Sequence, residues 1–193
     1  MGNIGLYFGS FNPIHTGHLL VAEHMLNFGP FDEIWFVVSP QNPFKTNQSL
    51  FDENLRLKWV SQSIQTESRF KVCDAEFSLP KPSYTIQTLQ FLQASYPHTF
   101  HIIMGADNLE KLHQWKHIEQ ICNLCEFHIY GRRNSAPPNI PENAVIRQYN
   151  SPFIDISATH IRELLSQGKS VRYLVPEAVF EYLQGSSMYR DGH

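Results

Sequence analysis

The segment Gly9-Ser10-Phe11-Asn12-Pro13-Ile14-His15-Thr16-Gly17-His18 carries two imidazoles three residues apart, directly after a short apolar run and directly before a helical pattern. A helix start presents unpaired backbone N–H groups and the positive end of the helix dipole, both of which favour phosphate. From that turn His15 and His18 can donate hydrogen bonds to phosphate oxygens whose charge grows during displacement at phosphorus. Gly17 would let a phosphate approach the backbone, and Thr16 is placed to cap the helix. The loop pairs no nucleophile with a general base, so the chemistry it suits is nucleotidyl transfer without a covalent enzyme intermediate. Taken alone, an HxxH is more often a helix cap or a surface pair; the strand, the glycine-bearing loop and the helix give this one its weight.

A second constellation lies near the C-terminus, in Asp155-Ile156-Ser157-Ala158-Thr159-His160-Ile161-Arg162. Ser157 is an N-cap candidate and Arg162 falls on the helix that follows. Arg forms charge-assisted, often bidentate, bonds to phosphate oxygens, so this start also suits phosphate. By itself a capped helix with a downstream Arg is common.

The elements that must hold these residues follow a βα period. Ile4, Leu6 and Phe8 mark a first buried strand, and Leu19 to Leu26 recur at helical spacing until Gly29 and Pro30 stop them. Further strands are predicted at 34–38, 70–73, 100–104, 127–130 and 144–149, with helices at 55–64, 84–94, 159–167 and 177–183. Residues 39–49 read as a long polar loop, 134–141 as a surface loop and 186–193 as a flexible C-terminal tail to a single domain over 1–185. Strands separated by helices need right-handed crossovers, so the expected fold is an open, mainly parallel sheet with helices on both faces. Ligands bind such sheets beyond the carboxyl ends of the strands, where strand order reverses.

Composition narrows the partners. A formal net charge of -3 gives no basic field to gather nucleic acid polymers. No run approaches the roughly twenty apolar residues a membrane span needs, and the first segment lacks a signal peptide's basic start, so a cytoplasmic protein with no membrane partner is expected. Three cysteines argue against a disulfide framework. Cys122 and Cys125 form a CxxC below His113 and His117, but the spacing is wrong for a zinc knuckle and they read as core residues. No GxxxxGK[ST] loop is present, which sets aside a P-loop kinase.

Residues 9–18 resemble the GxFxPxHxGH signature of the HxGH nucleotidyltransferase superfamily, and Ile156 to Arg162 resemble its ISSTxIR motif, with Ala158 in place of the second Ser. The resemblance implies a Rossmann-like, doubly wound α/β fold. It also implies that His15, His18 and Arg162 act on the triphosphate, with Gly9, Ser10, Phe11, Gly17, Ser157 and Thr159 around ATP. Phe8 stands where the family often has Gly, and Asn12 where it often has Asp.

Three middle segments bear on the acceptor. Ser39 to Lys45 resembles the loop ending in PHK of nicotinate mononucleotide adenylyltransferases, with Phe44 replacing His. Pro82 to Leu89 resembles their PSYTxxTL, and Gly105-Ala106-Asp107-Asn108-Leu109 with Trp115 their GADxL and W pair. The resemblance implies acceptor contacts from Lys45, Tyr84, Thr85, Asp107 and Trp115, and ATP contacts from Gly105, Asp107 and Arg133. The implied reaction joins AMP from ATP to nicotinate mononucleotide, giving deamido-NAD and pyrophosphate. It implies Mg²⁺ held mainly by the ATP phosphates, since no acidic cluster stands out as a protein site for metal. A helix start at Tyr84 and Thr85 suits a carboxylate, which a nicotinate ring has and a nicotinamide ring lacks. Nicotinamide mononucleotide or phosphopantetheine as acceptor, a regulator that binds nucleotide without turnover, and an RNA-binding module are the alternatives. The oligomeric state is not legible.

Overall fold

The structure, a computed structural model, describes residues 1–41, 50–131, 140–151 and 155–185. Six strands form one sheet: β1 (Asn3–Gly9), β2 (Glu33–Val38), β3 (Phe70–Cys73), β4 (Thr99–Gly105), β5 (Phe127–Tyr130) and β6 (Ile146–Tyr149). Every neighbouring pair is parallel, in the order β3-β2-β1-β4-β5-β6. The helices are α1 (Thr16–Phe28), α2 (Glu53–Ile64), α3 (Thr85–Ser95), α4 (Ala106–Leu109), α5 (Ile118–Leu124), α6 (Ala158–Ser166) and α7 (Glu177–Gly185). Among the described residues, no helix is long and apolar enough to cross a membrane.

Because side chains alternate across a strand, the sheet separates two cores. Tyr7, Phe36 and Ile103 face Met25 of α1, Trp59 of α2, Ile161 of α6 and Val179 of α7. Leu6, Ile102 and Ile129 face Leu89 of α3 and Ile121 of α5. Helices thus cover both faces, as the βα period predicts. The strand order turns back between β1 and β4, which opens the doubly wound crevice at their carboxyl ends. The loop bearing His15 and His18 leaves β1, and Gly105-Ala106-Asp107 leaves β4, so both candidate segments flank that reversal.

Local departures from the predicted elements have simple causes. Thr16 does not cap α1: it is the first helical residue, and His15 is the extended residue before it. The short helices α4 and α5 are too brief for a hydrophobic period to announce them. β5 and β6 are parallel although the described residues 140–145 between them form no helix. Cys122 and Cys125 are free and pack in the core beside Ile121 and Phe127.

Candidate functional site

The loop after β1 is built around Phe11. Its φ of 45° lies in the left-handed region that a bulky side chain avoids. The ring folds back over Gly9, where a Cβ would sit 2.8 Å from it, so Gly9 is required by packing. Phe11 is therefore buried, edge-on to His18 with 5.0 Å between ring centroids, and only its backbone can face a ligand. Gly17 likewise makes room for a ring: a Cβ there would lie 3.0 Å from His15 Nδ1. A side chain there would crowd the imidazole, which is a second reason for glycine at this position.

His15 and His18 stack with centroids 3.6 Å apart, and the His15 N–H donates to His18 Nδ1 at 3.2 Å. The His18 N–H is taken by the His15 carbonyl at 2.9 Å. His15 Nδ1 and Ser10 Oγ are left buried with no hydrogen-bond partner among the described residues. Buried polar atoms are rarely left so, and their position at a helix start suits a ligand that completes them. Burial pulls the His15 imidazole down to a pKa of about 4, so at neutral pH it is an uncharged donor.

Arg162 joins the two ends of the chain. Its Nη1 donates to the Asn12 carbonyl at 2.8 Å across 150 positions, and its Nη2 to Thr159 Oγ1 at 3.2 Å. Ser157 caps α6, its Oγ accepting from the His160 N–H at 3.1 Å, as predicted. Ile156 lies against Gly17. The two constellations read separately in the sequence therefore form one surface. Asn12 is buried and its Oδ1 accepts from the Phe51 N–H at 2.9 Å. An uncharged amide fits that enclosed place better than a carboxylate would.

Beside this loop, under the reversal of strand order, lies a cavity of about 390 Å³. Tyr84, Thr85, Gly105 and Trp115 line it, together with Phe8 and Lys116. His15, His18 and Arg162 do not line it. Tyr7 connects the two regions: it lines the cavity, its ring lies 6.1 Å from that of His18, and its hydroxyl is 3.4 Å from that of Tyr130. Asp107 is exposed on the first turn of α4 and does not line the cavity; its neighbour Asn108 does. A Cβ on Gly105 would collide with the Asp107 carboxylate, so the glycine lets that side chain fold back over β4. Lys45 and Arg133 lie outside the described residues.

Several residues of the site escaped the sequence reading. Arg56 is fully buried and donates to the carbonyls of Phe51, Ser10, Ser39 and Pro40, which ties the loops after β1 and β2 to α2. The signal was present: Arg56 falls on the same stripe as Trp59, Val60 and Ile64. Glu76, also buried, accepts from Ser83 Oγ at 2.7 Å and Thr88 Oγ1 at 3.0 Å, fixing the start of α3 against the cavity. Burial raises its pKa. Lys116 sits 4.3 Å over the Tyr84 ring and brings a positive charge to the cavity.

The sequence profile of the cytidylyltransferase-like family matches residues 6–164, a span that contains both constellations and the cavity. The probable nicotinate-nucleotide adenylyltransferase of Cytophaga hutchinsonii is 46% identical, covering 96% of this chain and 97% of its own length. The chain belongs to the nicotinate-nucleotide adenylyltransferase family. A second member, from Flavobacterium johnsoniae, is 41% identical over 97% of this chain and 98% of its own length. In fold, the chain is similar to the Plasmodium falciparum nicotinic acid mononucleotide adenylyltransferase complexed with NaAD. The TM-score is 0.79 at 22% identity, covering 98% of each chain.

Proposed function

We propose that the loop after β1 and the start of α6 hold ATP while the cavity under β4 holds nicotinate mononucleotide, so that this family's reaction takes place across the reversal of strand order. The Arg162 bond to the Asn12 carbonyl carries the reading, because it turns two distant helix starts into one phosphate-facing surface beside the cavity. The acceptor's phosphate oxygen attacks the α-phosphorus of ATP in line. A new P–O bond forms as the bond to the β-phosphate oxygen breaks, giving deamido-NAD and pyrophosphate.

His15 and His18 donate to oxygens that gain charge as that bond breaks, while Arg162 supplies fixed positive charge. His15 does so as a neutral ring, since its pKa lies near 4. Ser10, Thr159 and the backbone about Gly9 and Gly17 complete the ATP half. At the acceptor half, Trp115 supplies a face for the pyridine ring, Lys116 a charge, Tyr84 its side chain at the N-cap of α3, and Thr85 the first amide of that helix. The Tyr84 N–H is held by Gln87 Oε1 at 3.1 Å, which leaves the carboxylate of nicotinate to the amides that follow it. No cluster of carboxylates borders the β1 loop among the described residues, so Mg²⁺ fits there as an ion carried by the ATP phosphates, neutralising their charge.

Pyrophosphate release from MgATP is the test, with nicotinate mononucleotide, nicotinamide mononucleotide and phosphopantetheine compared as acceptors. The expected result is a preference in kcat/KM for the nicotinate form. Release with another acceptor in preference would keep the ATP half and discard the reading of Tyr84 and Thr85.

A further inference from the structure

At the opposite end of the sheet from the nucleotide crevice, a second group of side chains converges. His101 stands near the start of β4, His128 near the start of β5, and Glu126 just before β5. Their ligand-bearing atoms all lie within 4.8 Å of one another. They border an open hollow of about 480 Å³ beneath the turn after α1, at Phe28, Gly29 and Pro30. His101 sits four residues before Gly105, or roughly 13 Å along an extended strand, so the nucleotide surface does not reach it.

The arrangement is unusual for plain core packing. His101 is 8% exposed and His128 fully buried. Neither nitrogen of His101 has a hydrogen-bond partner among the described residues, and neither has His128 Nε2. Three buried ring nitrogens without partners are costly unless something completes them. His128 Nδ1 is engaged, 2.9 Å from the Tyr149 hydroxyl. That contact fixes the ring with Nε2 turned inward, 3.7 Å from Glu126 Oε2. An imidazole held through one nitrogen by an outer partner, with the other aimed at a carboxylate and a second imidazole, is how metal-binding histidines are oriented. Metal bonds of about 2.1 Å at tetrahedral angles separate ligand atoms by about 3.4 Å, so small side-chain adjustments bring this set to bonding geometry.

The geometry points to a divalent transition-metal site, of the kind that takes Zn²⁺, formed by His101, His128 and Glu126. Two imidazoles and a carboxylate suit Zn²⁺ better than Mg²⁺ or Ca²⁺, which prefer oxygen. Three protein ligands leave a fourth position for water. The surrounding charges are compatible with a cation. Arg147 opposes it, but its guanidinium spans both Glu126 oxygens, with Nε 3.1 Å from Oε2 and Nη2 3.5 Å from Oε1. It can stay on Oε1 while Oε2 turns to metal. Phe31 closes the inner side, edge-on to His128 at 4.8 Å and to His101 at 5.8 Å. An ion here would pin the starts of β4 and β5 to each other, a structural role remote from adenylyl transfer.

The test uses tag-free full-length protein, stripped with chelator and titrated with Co²⁺ as a visible probe, then with Zn²⁺ as competitor. One equivalent of Co²⁺ with the d–d absorption of a four-coordinate complex, without a thiolate charge-transfer band and displaced by Zn²⁺, is expected. Absence of the thiolate band separates this set from Cys122 and Cys125. His101→Ala should abolish uptake, and Tyr149→Phe should weaken it about tenfold by freeing the His128 ring. Glu126 is partly exposed, so Glu126→Gln keeps the fold, checked by circular dichroism, and should weaken uptake by more than tenfold. At a Zn²⁺ concentration that just saturates the wild type, the rise in Tm should be clearly smaller in Glu126→Gln than in the wild type. No uptake by the wild type, a thiolate band, or equal affinity in Glu126→Gln and wild type would each overturn the site.

Discussion

His18 is edge-on to Phe11 and stacked on His15, so its ring position is set before any ligand arrives. If it stabilises charge that appears only as the α-phosphorus is attacked, His18→Ala should lower kcat by about 10²–10³-fold with the unfolding midpoint nearly unchanged. Near-normal turnover would remove it from the mechanism. His15 should instead reveal itself through acid. Its folded pKa of about 4 lies below the ordinary 6.5, so between those values the unfolded chain binds a proton here and the folded chain does not. Stability from this residue is therefore complete above pH 6.5 and falls as pH falls, by about 2 kcal/mol at pH 5. Thermal melts at pH 7 and pH 5 should show wild type losing roughly 4–8 °C more than His15→Gln. The place of both histidines between strand and helix was legible in the sequence. The uses of Gly9 and Gly17 were not, because a glycine that yields to a neighbouring ring looks the same in sequence as one that yields to phosphate.

α2 does for the site what its apolar stripe does for the core. Its Arg56 guanidinium satisfies four carbonyls of the two loops that flank the crevice. Arg56→Ala would strand those acceptors in a dry place, and urea unfolding should show a loss of about 3 kcal/mol or more. Arg56→Lys should recover only part of it, since an ammonium has three donors and no planar fork. Equal stability of Arg56→Ala and wild type would mean that these carbonyls find water. β1, β2, β4 and β5 were readable as buried runs, and the bounds of 70–73 and 127–130 agree with the prediction to the residue. What the sequence hid were contacts that depend on tertiary approach. Arg56 was absorbed into a helix as one more polar residue, and Glu76 lies in a single 3₁₀ turn that no period marks.

On the proposed function the work divides at the strand reversal, with the β1 loop and α6 on one side and the cavity under β4 on the other. Substitutions should separate accordingly. Lys116→Ala, which removes the charge over Tyr84, should raise KM for the acceptor about tenfold while KM for ATP stays within about twofold. A parallel rise in both constants would mean that the two halves are not independent. The doubly wound architecture was legible from the βα period, and the resemblance implied separate ATP and acceptor residues; the Arg162 bond to the Asn12 carbonyl was not legible, since it depends on tertiary approach. The N–H of Thr16, at the head of α1, is held by the carbonyl of Leu174 at 2.9 Å, and Arg162 reaches the Asn12 carbonyl. An early-made part of the candidate site is thus finished by a part of the chain made much later. If ATP is held there as proposed, a ribosome that has delivered both histidines and the whole sheet has still not delivered the nucleotide site, and ATP binding must wait until α6 and the backbone beyond it have emerged and docked.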